Sequence, residues 1–383
     1  MCYLSRACFT DPLLLVLFDR LPKRIGTCEF TNTENVTVID GGKEEAFMPI
    51  RALARFYIHE WEYNGHFGGD DRIGLLLIEK NLLYNFEVIN LEVFKEYMDD
   101  LVFYEAYYPY ESGVSTYAGY DTAGHKSLLL EAIRSVTTKT INSIIRQLHD
   151  RDLGGLLITI KKIVDLSLPY IRKESKDLNL FRARIGFKEK KVVNDFHFTP
   201  DHHYFPFRED DIGPPPVQNS NKGRMNREGF SFLYLAENTE TAVAEVRPSP
   251  GDHVSIGKFV QAETLEIADF SQVTIDRFWM NDRDLDLFES LHSIQRFISN
   301  PIGTNEGYYY VLTQLVAEEL LRQGINGICF ISSLTGAKNY TIFKSKSFVY
   351  DPVDASVCKI DKIKTEYRPL LIGDDQTQYM DFS

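Results

Sequence analysis

The sequence predicts an α+β protein in which a mainly helical N-terminal half precedes a mixed domain of short strands and few helices. Two patterns carry that reading. Up to about residue 150, apolar residues recur at three- and four-residue intervals, as on one face of a helix. After about Asp177 they gather into runs of four to seven residues, the length of buried strands. The change falls across 151–176, which reads as a linker, so the expected domains are 1–150 and 177–383.

Taken in order, residues 1–50 are turn-rich and hold Cys2, Cys8 and Cys28. Ser5 stands three before Cys8 and Thr31 three after Cys28, where a zinc knuckle would place its other two thiolates. The knuckle is therefore degenerate, and no metal is expected. Ile50, Leu53, Ala54, Phe56, Tyr57 and Trp61 lie at helical spacing, and so do Leu91, Phe94, Tyr97, Met98, Leu101 and Val102. Leu128 to Leu148 forms a third amphipathic stretch, after a tyrosine- and glycine-rich segment over 104–121. His59-Glu60 with Glu62 and His66 does not make the His-Glu-x-x-His pattern of a zinc helix.

The linker carries Gly154-Gly155, an apolar–basic helix, Pro169 and a charged run. Strand-like runs follow: LFRARI, FLYLA, VSIGKFV, LEIADF, GICFIS, YTIF and SFVY. Two helices interrupt them. Asn238 or Thr239 caps a short one from Glu240 to Arg247, which Pro248 and Pro250 stop. A longer one, Tyr308 to Arg322, puts Val311, Leu312, Leu315, Val316 and Leu320 on one face and ends at Gly324. Cys329, inside GICFIS, reads as a core thiol, and Asp201-His202-His203 with His197 as a structured loop rather than a metal site.

Composition narrows the function. The net charge is −13, from 42 basic and 55 acidic residues, which argues against nucleic acid and anionic membrane as partners. No apolar run near the start is long enough for a signal peptide or membrane span, and five cysteines make no disulfide framework. The expected location is cytoplasmic. Dinucleotide and nucleotide phosphate loops and the Gly-x-Ser-x-Gly elbow are missing.

A few polar residues of the second half stand in apolar surroundings: Arg182 in LFRARI, Arg224 in a loop between Gly223 and Gly229, and Tyr234 in FLYLA. Glu245 follows Ala242, Val243 and Ala244, while Ser332-Ser333 closes GICFIS ahead of Asn339. Guanidinium groups suit a pyrophosphate and a tyrosine ring suits a planar heterocycle. A carboxylate aimed at a ribose stabilises the charge that develops as a glycosidic bond breaks. These are the parts needed to split nicotinamide from NAD.

At those residues the sequence resembles the RES-domain family, over roughly residues 178–345. LFRAR corresponds to the family's leading arginine at Arg182. FHFTPDHHYFPF with GRMNREGFSFLYLAENTETAVAEV resembles its central block, with the glutamate at Glu245. QGINGICFISSLTGAKNYTIF resembles its closing block, with the serine at Ser332. Arg184 could stand in for Arg182, and Ser333 for Ser332. The N-terminal half resembles the helical region ahead of larger RES proteins.

The resemblance implies an ADP-ribosyltransferase-like fold and an NAD-consuming toxin of a toxin–antitoxin pair, with an antitoxin as partner. The expected catalytic residues are Arg182, Glu245 and Ser332, and the expected NAD-binding residues are Arg182, Arg224, Tyr234, Ser332 and Asn339. The function expected is NAD glycohydrolase or phosphorylase. An ADP-ribosyltransferase of a protein or metabolite is the alternative, and a non-catalytic binding module is the alternative of another class. The oligomeric state is left open, a homo-oligomer included.

Overall fold

The computed structural model describes residues 2–58, 72–105, 139–193, 201–299 and 309–364. His59, Glu60, Trp61, Glu62, His66, most of the tyrosine-rich segment, His197, Tyr308 and the start of the helix expected over Leu128–Leu148 lie outside them. The chain divides into two units, one built mainly of Met1–Arg146 with Thr274–Ser293, the other of Gln147–Val273 with Ile294–Gln378.

The first unit is mixed, not purely helical. Strand β1 (Tyr3–Ser5), helix α1 (Pro12–Arg20) and strands β2 (Arg24–Cys28) and β3 (Thr33–Asp40) precede helix α2 (Glu44–Tyr57). The strands form an antiparallel sheet in the order β1-β3-β2 where turns were expected. The sequence hides it because most of β2 and β3 is exposed and only their ends are buried, too few residues for a period of two to show. Asp11 caps α1 by accepting from the amides of Leu13 and Leu14, with Pro12 at the first helical position. Helix α3 (Ile73–Glu79) and helix α4 (Leu91–Glu96), which widens into a π-type turn over Tyr97–Glu105, complete the unit around Leu4, Leu17, Ile50, Tyr84, Phe94 and Phe103. Within it the Cys8 and Cys28 sulfurs lie 3.4 Å apart, with Ser5 against both. No group of three metal-ligating side chains occurs among the described residues.

Helix α5 (Lys139–His149) is followed by helix α6 (Leu153–Ile171) and strand β4 (Arg172–Ser175), and these last two correct the expected linker. Asp152 caps α6 through the Gly155 amide, and Leu156, Ile160, Ile163, Val164 and Ile171 are buried. β4 is an edge strand of the large sheet. The second unit therefore begins well before Asp177. A four-residue polar edge strand has no alternation to betray it; its partner across the sheet defines it, as the 2.9 Å Arg172–Glu266 ion pair illustrates.

The rest of this unit comprises β5 (Asn179–Ile185), β6 (Glu189–Val193), β7 (Asp201–Phe205), β8 (Leu233–Ala236), α7 (Thr239–Glu245), β9 (His253–Gln261) and β10 (Leu265–Asp269). Then come α8 (Asp282–Ser299), whose residues from Ile294 on belong to this unit, α9 (Tyr309–Arg322), β11 (Gly327–Ile331), β12 (Lys338–Ile342) and β13 (Phe348–Lys359). Each strand-like run of the sequence is a strand. Eight of the strands form one sheet in the order β13-β9-β5-β8-β12-β11-β10-β4, antiparallel except for the β10–β11 pair. α6 packs on α9. Helix α8 was not expected among its many charges, although Leu285, Phe288, Leu291, Ile294 and Ile298 recur at helical spacing and are all buried. Among the described residues no helix is long and apolar enough to cross a membrane.

Candidate active site

The middle of the large sheet sets Phe181, Ala236, Asn339 and Phe330 in one cross-strand row through β5, β8, β12 and β11. Helix α7 packs against β5, β8 and β9 beside that row. The Asn238 side chain caps it by accepting from the Thr241 amide at 2.8 Å, and Ala242 is buried in a cluster with Ala183, Ala236 and Val254. Small side chains on helix and strands let the two approach closely. The helix ends at Glu245, two residues earlier than the prolines alone suggested, and this places its carboxyl at the rim of a cavity of about 220 Å³. Phe181, Arg182, Tyr234, Ala242 and Asn339 contribute to the lining.

Glu245 is not held by apolar packing, as its sequence neighbours suggested; it is exposed at the rim and held by hydrogen bonds. Ser332 Oγ donates to its Oε1 at 2.7 Å and Asn339 Nδ2 to the same oxygen at 2.6 Å. Both donors are buried, at 1% and 5% exposure, so neither is easily replaced by water. Oε2 has no hydrogen-bond donor among the described residues. Ser332 opens a tight turn: its oxygen accepts from the Leu334 amide at 3.2 Å, its amide donates to Ala337, and Gly336 adopts the left-handed conformation (φ +77°) that closes it. The turn also meets α7 through Thr335 Oγ1 and Thr241 Oγ1, 2.8 Å apart. Ser333, by contrast, is exposed. Ser332→Ala and Asn339→Ala are each expected to lower kcat roughly tenfold with little change in KM, the effect of losing one charge-assisted hydrogen bond. Steady-state kinetics on both variants check this, and a change confined to KM would move the two residues from positioning to substrate binding.

Arg182 is half-buried, and its Nη1 is buried without a hydrogen-bond partner among the described residues. Burial, and after it the nearby Arg184, lower its pKa to about 10. A guanidinium in that state gains from an anion. Arg184 is exposed; Nη1 donates to the Asp211 carbonyl and the group lies 4.5 Å from the Phe207 ring centre. Tyr234 donates its hydroxyl to Asn226 Oδ1 at 2.6 Å, and burial raises its pKa to about 12, so it presents a fixed neutral ring. The loop that holds it needs glycine at 223, where a Cβ would fall 2.4 Å from Asn226 Oδ1.

Arg224 departs from expectation. It is absent from the cavity lining and donates Nη1 to the carbonyls of Ile298 and Ser299, at 2.5 and 3.1 Å, at the C-terminal end of α8. Its own carbonyl accepts from Thr313. A cation there satisfies unpaired helix carbonyls and the negative end of the helix dipole. Arg224→Ala is expected to lower stability by roughly 1–2 kcal/mol and to leave NAD affinity at the native value; denaturant unfolding and calorimetry test the two halves. Asn226, which sequence reasoning passed over, ties the loop together through its amide to the carbonyls of Asn221, Arg227 and Phe230. Nothing in its sequence context marks it.

A second cleft, of about 590 Å³, shares Arg182, Ala183 and Val246 with the first cavity and adds Arg184, Asp210 and Asn219. Its wall comes from the segment 208–220, which carried no motif.

The RES domain family matches residues 196–361 of this chain. This stretch is a RES domain. It includes Tyr234, Glu245, Ser332 and Asn339, whereas Arg182 lies ahead of the match. At the level of the family, a RES domain marks an NAD-acting enzyme. No curated protein matches the chain. Among solved structures, the M. tuberculosis MbcT–MbcA toxin–antitoxin complex aligns over 52% of this chain and 91% of that one, at 9% identity and a TM-score of 0.29.

Proposed function

We propose that the RES domain cleaves the bond between nicotinamide and ribose in NAD, as a glycohydrolase or phosphorylase, and that the protein is a cytoplasmic toxin or defence effector restrained by a polypeptide partner of the antitoxin kind. The observation that carries this reading is the Glu245 carboxylate, held on one oxygen by two buried donors and free on the other, beside a cavity shared with Arg182.

In this reading Arg182 binds the pyrophosphate, whose negative charge fills the want of a partner at Nη1. The Tyr234 ring lines the pocket for the nicotinamide riboside. Glu245 Oε2 accepts from a ribose hydroxyl and stabilises the positive charge that grows on the ribose as the C1–N bond breaks and neutral nicotinamide departs. Ser332 and Asn339 keep the carboxylate from turning away. Water or phosphate then adds to C1 and releases a proton. No metal takes part in this scheme.

The test is to incubate the purified chain with NAD and identify every product by mass spectrometry. Free ADP-ribose indicates water as acceptor and ADP-ribose-1″-phosphate indicates phosphate. A labelled protein or metabolite would instead make the chain an ADP-ribosyltransferase. Binding of NAD without turnover would point to a binding module.

A further inference from the structure

The first cavity, at about 220 Å³, is smaller than the 300 Å³ or more usual for a whole drug-sized ligand, and a dinucleotide is larger still. The second cleft adjoins it, sharing Arg182, Ala183 and Val246. With the pyrophosphate on Arg182 and the nicotinamide riboside beside Glu245, the adenosine half falls to the second cleft. Pro215 and Pro216 offer it flat apolar surfaces, and Asn219 offers an amide of the kind that pairs with an adenine edge.

The cleft's charge is what decides its preference. Its lining holds two cations, Arg182 and Arg184, and one anion, Asp210. The two arginines balance the two negative charges of a pyrophosphate. Arg184 is moreover tied to the Asp211 carbonyl and lies over Phe207, so it is not free to swing to a third phosphate. Lys188 is paired with Asp211 at 2.7 Å. Asp210 itself makes no side-chain hydrogen bond or ion pair among the described residues. It sits in the turn Glu209–Asp211, which is anchored by the fully buried Ile212 and closed by bonds from the amides of Ile212 and Gly213 to the Glu209 carbonyl. The carboxylate is therefore held in the cleft wall with its accepting oxygens unclaimed.

We infer that Asp210 is a specificity-determining residue that selects an adenosine ribose with a free 2′-hydroxyl, so that the enzyme acts on NAD and rejects NADP. This rests on the NAD reading of the site. A carboxylate accepts a hydrogen bond from a ribose hydroxyl and repels a 2′-phosphate, which carries about 1.5–2 negative charges at neutral pH.

The experiment compares initial rates on NAD and NADP for the full-length native chain and for Asp210→Asn and Asp210→Ser. For the native chain kcat/KM is expected to favour NAD by about 100-fold, the scale of one charged hydrogen bond gained or lost. Both variants should narrow that ratio by about tenfold or more, chiefly through a lower KM for NADP, and the narrowing should shrink as salt screens the exposed carboxylate. Equal rates on the two dinucleotides in the native chain, or a ratio that neither variant changes, overturns the role of Asp210 and leaves the NAD reading standing. If the chain neither binds nor cleaves either dinucleotide, the reading of the site falls and this inference falls with it.

Discussion

Glu245→Gln is expected to lower the turnover of NAD by about 10²–10³-fold, the cost of removing one preorganised electrostatic contact at a site of developing charge. The amide keeps the length of the side chain. The geometry also explains why affinity should hardly change. Ser332 and Asn339 both donate to Oε1, so the amide carbonyl of glutamine can take that place and stay docked. What it loses is the negative charge on the oxygen facing the cavity, and that charge matters only as the ribose becomes cationic. The expected signature is therefore a fall in kcat with KM and calorimetric NAD affinity near native. Near-full turnover in Glu245→Gln would reduce the carboxylate to a structural residue. The same variant should relieve growth arrest, if the native protein causes one when produced without a partner.

Arg182→Ala is expected to act on binding first, weakening NAD affinity by roughly 10- to 100-fold, the range for a hydrogen bond to a charged group. The structure adds a pH dependence. With its pKa lowered to about 10, Arg182 loses its proton earlier than an ordinary arginine, and NAD affinity should drop as pH rises through that value. Stability moves the other way. The unfolded chain holds this proton more tightly than the folded one, so above about pH 10 the native state gains from the depressed pKa. Opposite slopes for affinity and stability in one titration distinguish Arg182 from the lysines, whose loss of charge weakens their surface ion pairs. Arg182→Lys restores the charge without the fork of donors and should recover part of the affinity. Unchanged affinity in Arg182→Ala would remove the pyrophosphate from this side chain.

Several parts of the site were legible in the linear sequence because the physics behind them is local. The apolar runs that become β5, β8, β11 and β12 show their burial directly. Asn238 announces the start of α7, and the prolines after Arg247 its end. Glu245 and Ser332 stood out as polar groups among apolar neighbours, and the structure brings them to 2.7 Å across 87 residues of chain. Other parts depend on what lies far off in sequence. Arg224, in a glycine-bounded loop, looked like a ligand for phosphate; only the end of α8, some 75 residues on, shows that its guanidinium is spent on helix carbonyls. That Asn339 also holds Glu245 follows only from its register opposite Ala236, which sets its amide on that carboxylate.

By itself, then, the sequence determined which segments are strands in the second half and where α7 begins, and it singled out Glu245 and Ser332 as polar groups in apolar surroundings, since burial, capping and charge are written residue by residue. The tertiary structure alone decided that 151–176 belongs to the second unit, that β4 is a strand at all, which oxygen of Glu245 is free, and that Arg182 lines two clefts. Each of those depends on strand pairing and helix packing between residues tens of positions apart, where the free energy lies in the contact and neither partner's local sequence records it.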